Sequence, residues 1–408
     1  MPSPSPLLQG PLAEQALDAI ARGLLAAPLP EDPSLGSGAA GVALLHSCLE
    51  ALRPGCGHAQ RSLELLKGAV ACAGSQELTP GLHDGLSGIA WAVEHLHVGD
   101  EDLNEETDEV LLSLLSRRPW EGPFDLIGGL SGIAVYALER APRPSAMAVL
   151  EAVVDRLQES ATFLEGGVAW ATNPLWIPQE LRAGREEPEF DLGVAHGQPG
   201  AIAALAGASA WGIARARPLL DHAMAWTLAQ RLLDEEATFP AALRPGTMPE
   251  GAKRSVWCYG DVGVATTLLA AATAVGEVSW ESEILEIARH SARIRPPQRH
   301  VVDAPICHGA FGVGYLLQKL HRSVGGANFE EDARAWLEHG LSMRATEGGL
   351  GGFRSWFPSE SGGEWREEPG FLEGAAGVGL CLGAALDPAL DTSWDRVLLT
   401  SIRGPLSG

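Results

Sequence analysis

Two thiols and one imidazole, those of Cys258, Cys307 and His308, make the kind of three-ligand set that zinc prefers. Cys258 sits in Trp257-Cys258-Tyr259-Gly260, and the other two in Cys307-His308-Gly309. Three protein ligands leave a fourth tetrahedral position open, the mark of a catalytic rather than a structural zinc. About 49 residues separate the two groups. That is too far for a zinc-finger knuckle, so two elements of one larger fold must bring them together. The plainer alternative is that all three are ordinary buried residues, since a free cysteine is often simply core.

The elements that must position them are repeated. A Gly-x-x-Gly unit followed by small apolar residues recurs seven times: Gly38-Ala39-Ala40-Gly41, Gly85-Leu86-Ser87-Gly88, Gly129-Leu130-Ser131-Gly132, Gly197-Gln198-Pro199-Gly200, Gly260-Asp261-Val262-Gly263, Gly309-Ala310-Phe311-Gly312 and Gly374-Ala375-Ala376-Gly377. The spacing, about 44 to 68 residues, is that of one supersecondary unit per repeat. Between the copies run amphipathic helical patterns: Leu17, Ile20, Ala21 and Leu24, and again Leu150, Val153, Val154 and Leu157, recur at i, i+3, i+4, i+7. Alternating strand patterns are scarce. Each repeat reads as an outer amphipathic helix, a loop, and a glycine-started inner helix that is apolar or small nearly all round. Helices buried on every side belong at the centre of an assembly. The predicted fold class is all-α, an α/α toroid of seven inner and seven outer helices; an open helical solenoid is the alternative. Glycine would let inner helices approach closely and let the loop before them take φ > 0. Inner-helix N-termini would gather at one rim, their positive dipole ends facing one cavity. No boundary breaks the repeat, so residues 1–408 read as a single domain.

The register places the chemistry. Cys258 stands two residues before the first glycine of repeat five, and Cys307-His308 directly precede that of repeat six, so neighbouring repeats bring all three to the same rim. His196, in Ala195-His196-Gly197, holds in repeat four the slot that His308 holds in repeat six. It can be a fourth ligand, a general acid/base or a buried structural histidine. Asp125 lies four residues before Gly129, where a helix N-cap is the plain reading. Arg254 and Tyr259 flank Cys258 and can orient a carbonyl or supply a proton; Arg254 can equally be a surface charge.

Longer insertions carry the remaining length. Thr172–Asp191 is rich in Pro, Glu and Arg, Phe239–Lys253 holds three prolines, and Thr346–Glu368 carries glycine pairs with Trp356 and Trp365. The first and last are the candidate peptide contacts. The acidic run Asp100–Glu109 reads as a solvated face. Of the 408 residues 46% are hydrophobic, 20% charged and 49 are glycine, the composition of a globular protein long enough for one large or two average domains. A net charge of −23 repels phosphate backbones and anionic lipid, so no nucleic-acid partner is expected, whereas a cationic peptide is tolerated. Six cysteines in so long a chain do not make a disulfide scaffold. Met1-Pro2-Ser3-Pro4-Ser5-Pro6 offers no basic segment before an apolar core, so no signal peptide is read there, and no apolar run reaches transmembrane length. A reducing cytoplasm is the expected location, and it suits thiolate ligands.

The chain resembles the LanC-type lanthionine synthetase cyclases over essentially its full length. The resemblance rests on Asp125-Leu126-Ile127-Gly128-Gly129-Leu130-Ser131-Gly132, Leu192-Gly193-Val194-Ala195-His196-Gly197-Gln198-Pro199-Gly200, Arg254-Ser255-Val256-Trp257-Cys258-Tyr259-Gly260, Cys307-His308-Gly309 and Phe371-Leu372-Glu373-Gly374-Ala375-Ala376-Gly377. The Trp-Cys-Tyr-Gly and Cys-His-Gly pair, in that order, is the specific part. It implies one Zn²⁺ held by Cys258, Cys307 and His308, and active-site roles for four more residues: His196 as the acid/base, Asp125 holding its tautomer, and Arg254 or Tyr259 assisting at the developing enolate. The implied reaction is Michael addition of a peptide cysteine thiol to dehydroalanine or dehydrobutyrine, giving lanthionine or methyllanthionine. The implied partners are a dehydrated precursor peptide, a separate dehydratase and an export transporter, which would hold the chain at the membrane periphery without a span of its own. Val262 and Gly128 depart from the family pattern, where proline and serine are common, and are expected to affect loop shape more than chemistry. The closest rival keeps the fold and binds glutathione, or adds it to dehydrated residues; the compact length and high Ala, Gly and Pro content favour the peptide cyclase. An α/α-toroid glycoside hydrolase would need two opposed carboxylates instead, and a scaffold would need no chemistry at all.

Overall fold

The structure is a computed structural model that describes residues 5–405, apart from 178–181, 183–184, 233–236, 253, 294, 298–299, 326 and 359–361. Parts of all three insertions, and Met1–Pro4, therefore lie outside the described residues. Fourteen α-helices run along the described chain: α1 (Pro11–Ala26), α2 (Ala39–Leu52), α3 (His58–Ala73), α4 (Leu86–Leu96), α5 (Glu105–Leu115), α6 (Leu130–Arg140) and α7 (Pro144–Ser160). The second half holds α8 (Gln198–Ala210), α9 (Ala216–Ala229), α10 (Asp261–Val275), α11 (Val278–Ser291), α12 (Ala310–Val324), α13 (Ala327–Ser342) and α14 (Ala375–Leu386). Three short antiparallel pairs complete it: β1 (Thr162–Leu164) with β2 (Gly167–Ala169), β3 (Phe190–Asp191) with β4 (Ala242–Leu243), and β5 (Ser355–Phe357) with β6 (Glu364–Arg366).

The even-numbered helices are the glycine-started ones, and every first glycine of the repeat is a helix N-cap. They bury most of their residues, and α6, α8 and α14 nearly all, whereas α1 buries only the stripe Ala13, Ala16, Leu17, Ile20, Ala21 and Leu24, and α7 the stripe that includes Leu150, Val153, Val154 and Leu157. The chain forms two compact units. One is Met1–Leu78 with Ala292–Trp394; the other is Thr79–Ser291 with Asp395–Gly408. In the first, α14 packs between α12 and α2, and each inner helix carries one outer helix: α3 on α2, α13 on α12, α1 on α14. The helix that begins the chain is thus the outer partner of its last inner helix, a junction tightened by Leu7 N and Leu8 N donating to Ala385 O at 2.9 and 3.2 Å. In the second unit α4, α6, α8 and α10 pack in sequence, backed by α5, α7, α9 and α11. No helix among the described residues is long and apolar enough to cross a membrane, and no disulfide joins the six cysteines.

The glycines work by close approach rather than by handedness. Of the seven N-cap glycines only Gly260 has positive φ, at 107°; the other six are extended. What each excludes is a Cβ that would run into the loop wrapped beneath it: the Asp32 carbonyl at Gly38, Thr79 at Gly85, Arg254 at Gly260. That wrap also supplies the missing helix caps. At α2, α4, α6, α12 and α14 the first helical N–H donates to the carbonyl seven residues earlier, as in Ala310 N to Asp303 O at 2.9 Å and Ala375 N to Glu368 O at 2.9 Å. In these five helices a loop carbonyl therefore takes the first donor of the helix. At Gly312 an added Cβ would press on the Ile306 backbone. Gly312→Ala is expected to cost about 1–3 kcal/mol. Gly68→Ala, inside α3 with only Leu29 Cδ1 at 3.9 Å, should be neutral or slightly stabilising. Denaturant midpoints of the two variants test this, and equal midpoints would refute the close-approach account.

The acidic run Asp100–Glu109 is exposed at its other acids and departs from the expected solvated face at Asp108. Asp108, expected on a solvated face, is fully buried. It accepts from Tyr136 Oη at 2.7 Å and Ser145 Oγ at 2.6 Å, and pairs with Arg140 at 2.6 Å; Arg140 also reaches Glu94 at 2.8 Å and Asp102 at 3.0 Å. A buried guanidinium at the end of α6 needs several partners, and this run provides two of them, Asp102 and Asp108, with Glu94 coming from α4.

Candidate metal centre and acid–base cluster

The first unit assembles a ligand group. Cys307 Sγ, one ring nitrogen of His308 and a Glu373 carboxylate oxygen all lie within 4.8 Å of one another. The loops before α12 and α14 carry them, joined by Cys307 N donating to Leu372 O at 2.9 Å, with Leu372 N donating onward to Gly36 O at 2.8 Å. His308 Nε2 stands 3.0 Å from Asp303 Oδ2. A carboxylate accepts, so that nitrogen carries the proton and Nδ1 keeps its lone pair, on the side where Glu373 Oε1 lies 3.8 Å away. A histidine whose far nitrogen is fixed by a buried carboxylate is the usual outer support of a metal ligand. Asp303 is 1% exposed and also accepts from Trp356 N at 2.9 Å, while Ser355 Oγ donates to the Glu373 carbonyl. The β5–β6 hairpin, read from sequence as part of a peptide-contact insertion, therefore braces both carboxylate-bearing segments. Its Trp356 and Trp365 face each other across the strands, ring centroids 5.3 Å apart.

The second unit assembles the proton-handling groups. A similar chain of backbone bonds joins its loops: His83 N to Ile127 O, Leu126 N to Ala195 O and Val194 N to Cys258 O, at 3.0, 3.1 and 2.9 Å. Asp125 is not the cap of α6, which is Gly129. One carboxylate oxygen accepts from Gly128 N at 3.0 Å, and the other stands 2.6 Å from His196 Nδ1. His196 thus carries a proton on Nδ1, and its side chain keeps 45% of its surface exposed. Burial pulls the imidazole down, but the Asp125 hydrogen bond, with the charges of Asp125, Asp191 and Cys258, leaves it raised above its ordinary range. Tyr259 Oη donates to Asp191 Oδ2 at 2.6 Å, and Asp191 is pinned by Gly193 N at 2.7 Å. Burial and the Asp191 charge push the Tyr259 hydroxyl well up, so it is a standing donor. Burial pushes Asp191 up to about 6, against the Tyr259 hydrogen bond and the His196 charge. Cys258 is 6% exposed and close enough to bias both His196 and Tyr259 electrostatically. Arg254 is half-buried in the loop before α10, and among the described residues its guanidinium pairs with none of these carboxylates.

The sequence missed four acids that stand here, and a register signal marks each. Asp84 and Glu373 occupy the slot directly before the first glycine, as His196, Tyr259 and His308 do. Asp191 and Asp303 occupy the slot six residues before it, as Arg254 does. Burial raises the Asp84 carboxyl; it accepts from Thr79 Oγ1 at 3.0 Å and feels the charges of Asp125 and His196. At the Gly128 departure a Cβ would come within 3.3 Å of Asp84 Oδ2, a tight approach that the carboxylate would have to yield to. His83 is buried beside the same group, Nε2 3.0 Å from Val397 O, and burial lowers it to about 4, so it is neutral.

The lanthionine synthetase C-like family matches residues 30–399, and the chain belongs to it. Among solved structures the chain is similar to a nisin cyclase, at 18% identity and TM-score 0.75, over 95% of this chain and 96% of that one. It is also similar to an unsaturated glucuronyl hydrolase from Streptococcus agalactiae, at 9% identity and TM-score 0.51, over 94% and 93%. At such identities the likeness speaks for the fold alone: the chain has the α/α-toroid fold that its repeats predict. No curated protein matches the chain by sequence.

Proposed function

We propose that this chain is a zinc-dependent lanthionine cyclase acting on a dehydrated precursor peptide. The observation that carries the reading is Cys307 beside a His308 whose Nε2 is fixed by buried Asp303, in a chain of the lanthionine synthetase C-like family. Cys307 and His308 fit a zinc shell, and Cys258, in the matching register of repeat five, is the third ligand of the proposal. Bound zinc would supply a substrate thiolate at neutral pH by lowering the thiol pKa from about 8.5. Two protein thiolates keep that substrate sulfur electron-rich. The sulfur bonds to the β-carbon of the dehydro residue, and the C=C pair moves onto the α-carbon and its carbonyl oxygen. The Arg254 guanidinium is assigned to that oxygen, where charge develops, together with Tyr259 Oη once its single proton turns from Asp191 Oδ2 to the substrate. His196, its ring fixed by Asp125, is assigned to protonate the α-carbon from Nε2. The three ligands, the acid/base pair and the peptide substrate are one reading. So are the partner dehydratase, the transporter and the cytoplasmic location.

The direct test incubates the purified chain with a synthetic peptide holding one cysteine and one dehydroalanine, following free thiol and ring formation by mass spectrometry after thiol alkylation. Loss of free thiol at constant mass is the expected result. Tight glutathione binding with no ring formation would transfer the site to the glutathione reading. The likeness to the glucuronyl hydrolase concerns the fold, and the Cys/His group sets this chain's chemistry apart from a two-carboxylate hydrolase.

A further inference from the structure

The metal reading leaves one buried-side contact unexplained. A thiol-activating centre needs an open position, yet Glu373 brings a carboxylate oxygen to the same small volume as Cys307 Sγ and a ring nitrogen of His308. Its 3.8 Å separation from His308 Nδ1 is too long for a hydrogen bond. It is close to what shared ligation demands, since bonds of ~2.0–2.3 Å in a tetrahedron set ligand atoms about 3.3–3.6 Å apart.

The placement is built rather than incidental. Glu373 holds the slot before the first glycine of repeat seven that His308 holds in repeat six, and α12 and α14 are packed neighbours. The backbone is fixed on both sides of it: Leu372 O accepts from Cys307 N, and the Glu373 carbonyl accepts from Ser355 Oγ. The carboxylate is delivered from a rigid loop, and its side chain is 37% exposed, on the side from which a substrate can arrive. Asp303 plays the opposite part, being fully buried, doubly bonded and directed at the far nitrogen of His308.

From this arrangement we infer that Glu373 is the resting fourth ligand of the proposed zinc, displaced when a substrate cysteine enters. The inference rests on the metal reading above and adds a ligand to it. The exchange balances: the entering thiol gives its proton to the departing carboxylate, and one monoanion replaces another. A carboxylate is the suitable placeholder. It neutralises charge and shields the centre from stray ligands, yet it is a harder ligand than sulfur and yields to a thiolate at zinc. Glu373 therefore sets a threshold that only a thiol passes easily.

The experiment uses the full chain loaded with Co²⁺, compared with Glu373→Gln and Glu373→Asp. Metal retention is read by competition with a chromogenic chelator. Thiol entry is read from the thiolate-to-cobalt charge-transfer band during titration with N-acetylcysteine. Glu373→Gln is expected to keep one metal per chain but lose it to chelator roughly 10- to 100-fold more readily, the scale seen when even outer partners are removed. The same variant should bind N-acetylcysteine about 10-fold more tightly, because nothing has to leave. Glu373→Asp should fall between. This opposed pair of shifts separates a ligand from a structural residue, whose loss weakens both. Unchanged chelator competition and unchanged thiol affinity overturn the inference while leaving the zinc reading intact, as does a fall in both. A wild-type chain that takes up no metal overturns the two together.

Discussion

Cys307→Ala is expected to emerge folded and without metal, where the unsubstituted chain carries about one zinc. The residue is 9% exposed, at the end of a loop whose own backbone bond, Cys307 N to Leu372 O, does not need the side chain. Truncation removes a soft ligand and leaves a small cavity at the edge of the core, so the loss falls on the metal first. Elemental analysis of protein purified without chelator measures the stoichiometry, and ring formation on the synthetic peptide should be abolished in parallel. Asp303→Asn gives the finer result. It keeps the volume but no longer offers a full carboxylate to His308 Nε2, so zinc should still bind, roughly 10–100-fold more weakly. Metal bound only to the folded chain also raises stability. The thermal midpoint of Cys307→Ala should therefore match that of the unsubstituted chain after chelation, and should not respond to added zinc. Full zinc occupancy in Cys307→Ala would remove that residue from the shell. A zinc-free unsubstituted chain would remove the thiol-activation mechanism.

His196→Ala should lower the cyclisation rate by about 10²–10⁴-fold, the range of a general acid/base, with the zinc content unchanged. A structural histidine at a partly exposed position would not have that effect. The pH profile identifies the role. Asp125 and its neighbours hold His196 above its ordinary range, so the imidazole keeps its proton to higher pH than a free histidine. A rate that needs the protonated form should be full at low pH and fall as pH rises through that raised value. Asp125→Asn removes the largest raising influence and should move the falling limb to lower pH, with a smaller loss of rate than His196→Ala. The stability linkage has the same sign: the pair's contribution is full below the unfolded histidine value near 6.5 and fades as pH rises through the folded one. An alkaline limb at the same pH in both proteins would show that another group gives the proton.

Much of the fold was legible because the constraint acts locally and repeats. A glycine that must lie against its own loop leaves a mark every time, and seven marks locate seven inner helices. The amphipathic stripes of α1 and α7 were equally plain. The reason for the glycines was not: conformational freedom and close approach leave the same letter, and only the extended φ of six of them separates the two. The outer partner of α14 was hidden as well, because α1 comes from the opposite end of the chain.

At the site, the sequence by itself determined which chemistries are present and their register: cysteines and histidines at the glycine-preceding slots, an arginine six residues ahead. The tertiary structure decided which atoms meet. It brought Asp125 against His196, 71 residues away, the pairing that the resemblance implies and that the local sequence alone reads as a helix cap, and it buried Asp108 under Arg140 out of a largely exposed run. It gave Asp191 to Tyr259, and it set Asp303 and Glu373 on two sides of His308. A carboxylate's role depends on what faces its oxygens, and those partners lie on other repeats. Residue type and spacing fix the ligands a chain can offer, whereas packing fixes which lone pair each of them keeps.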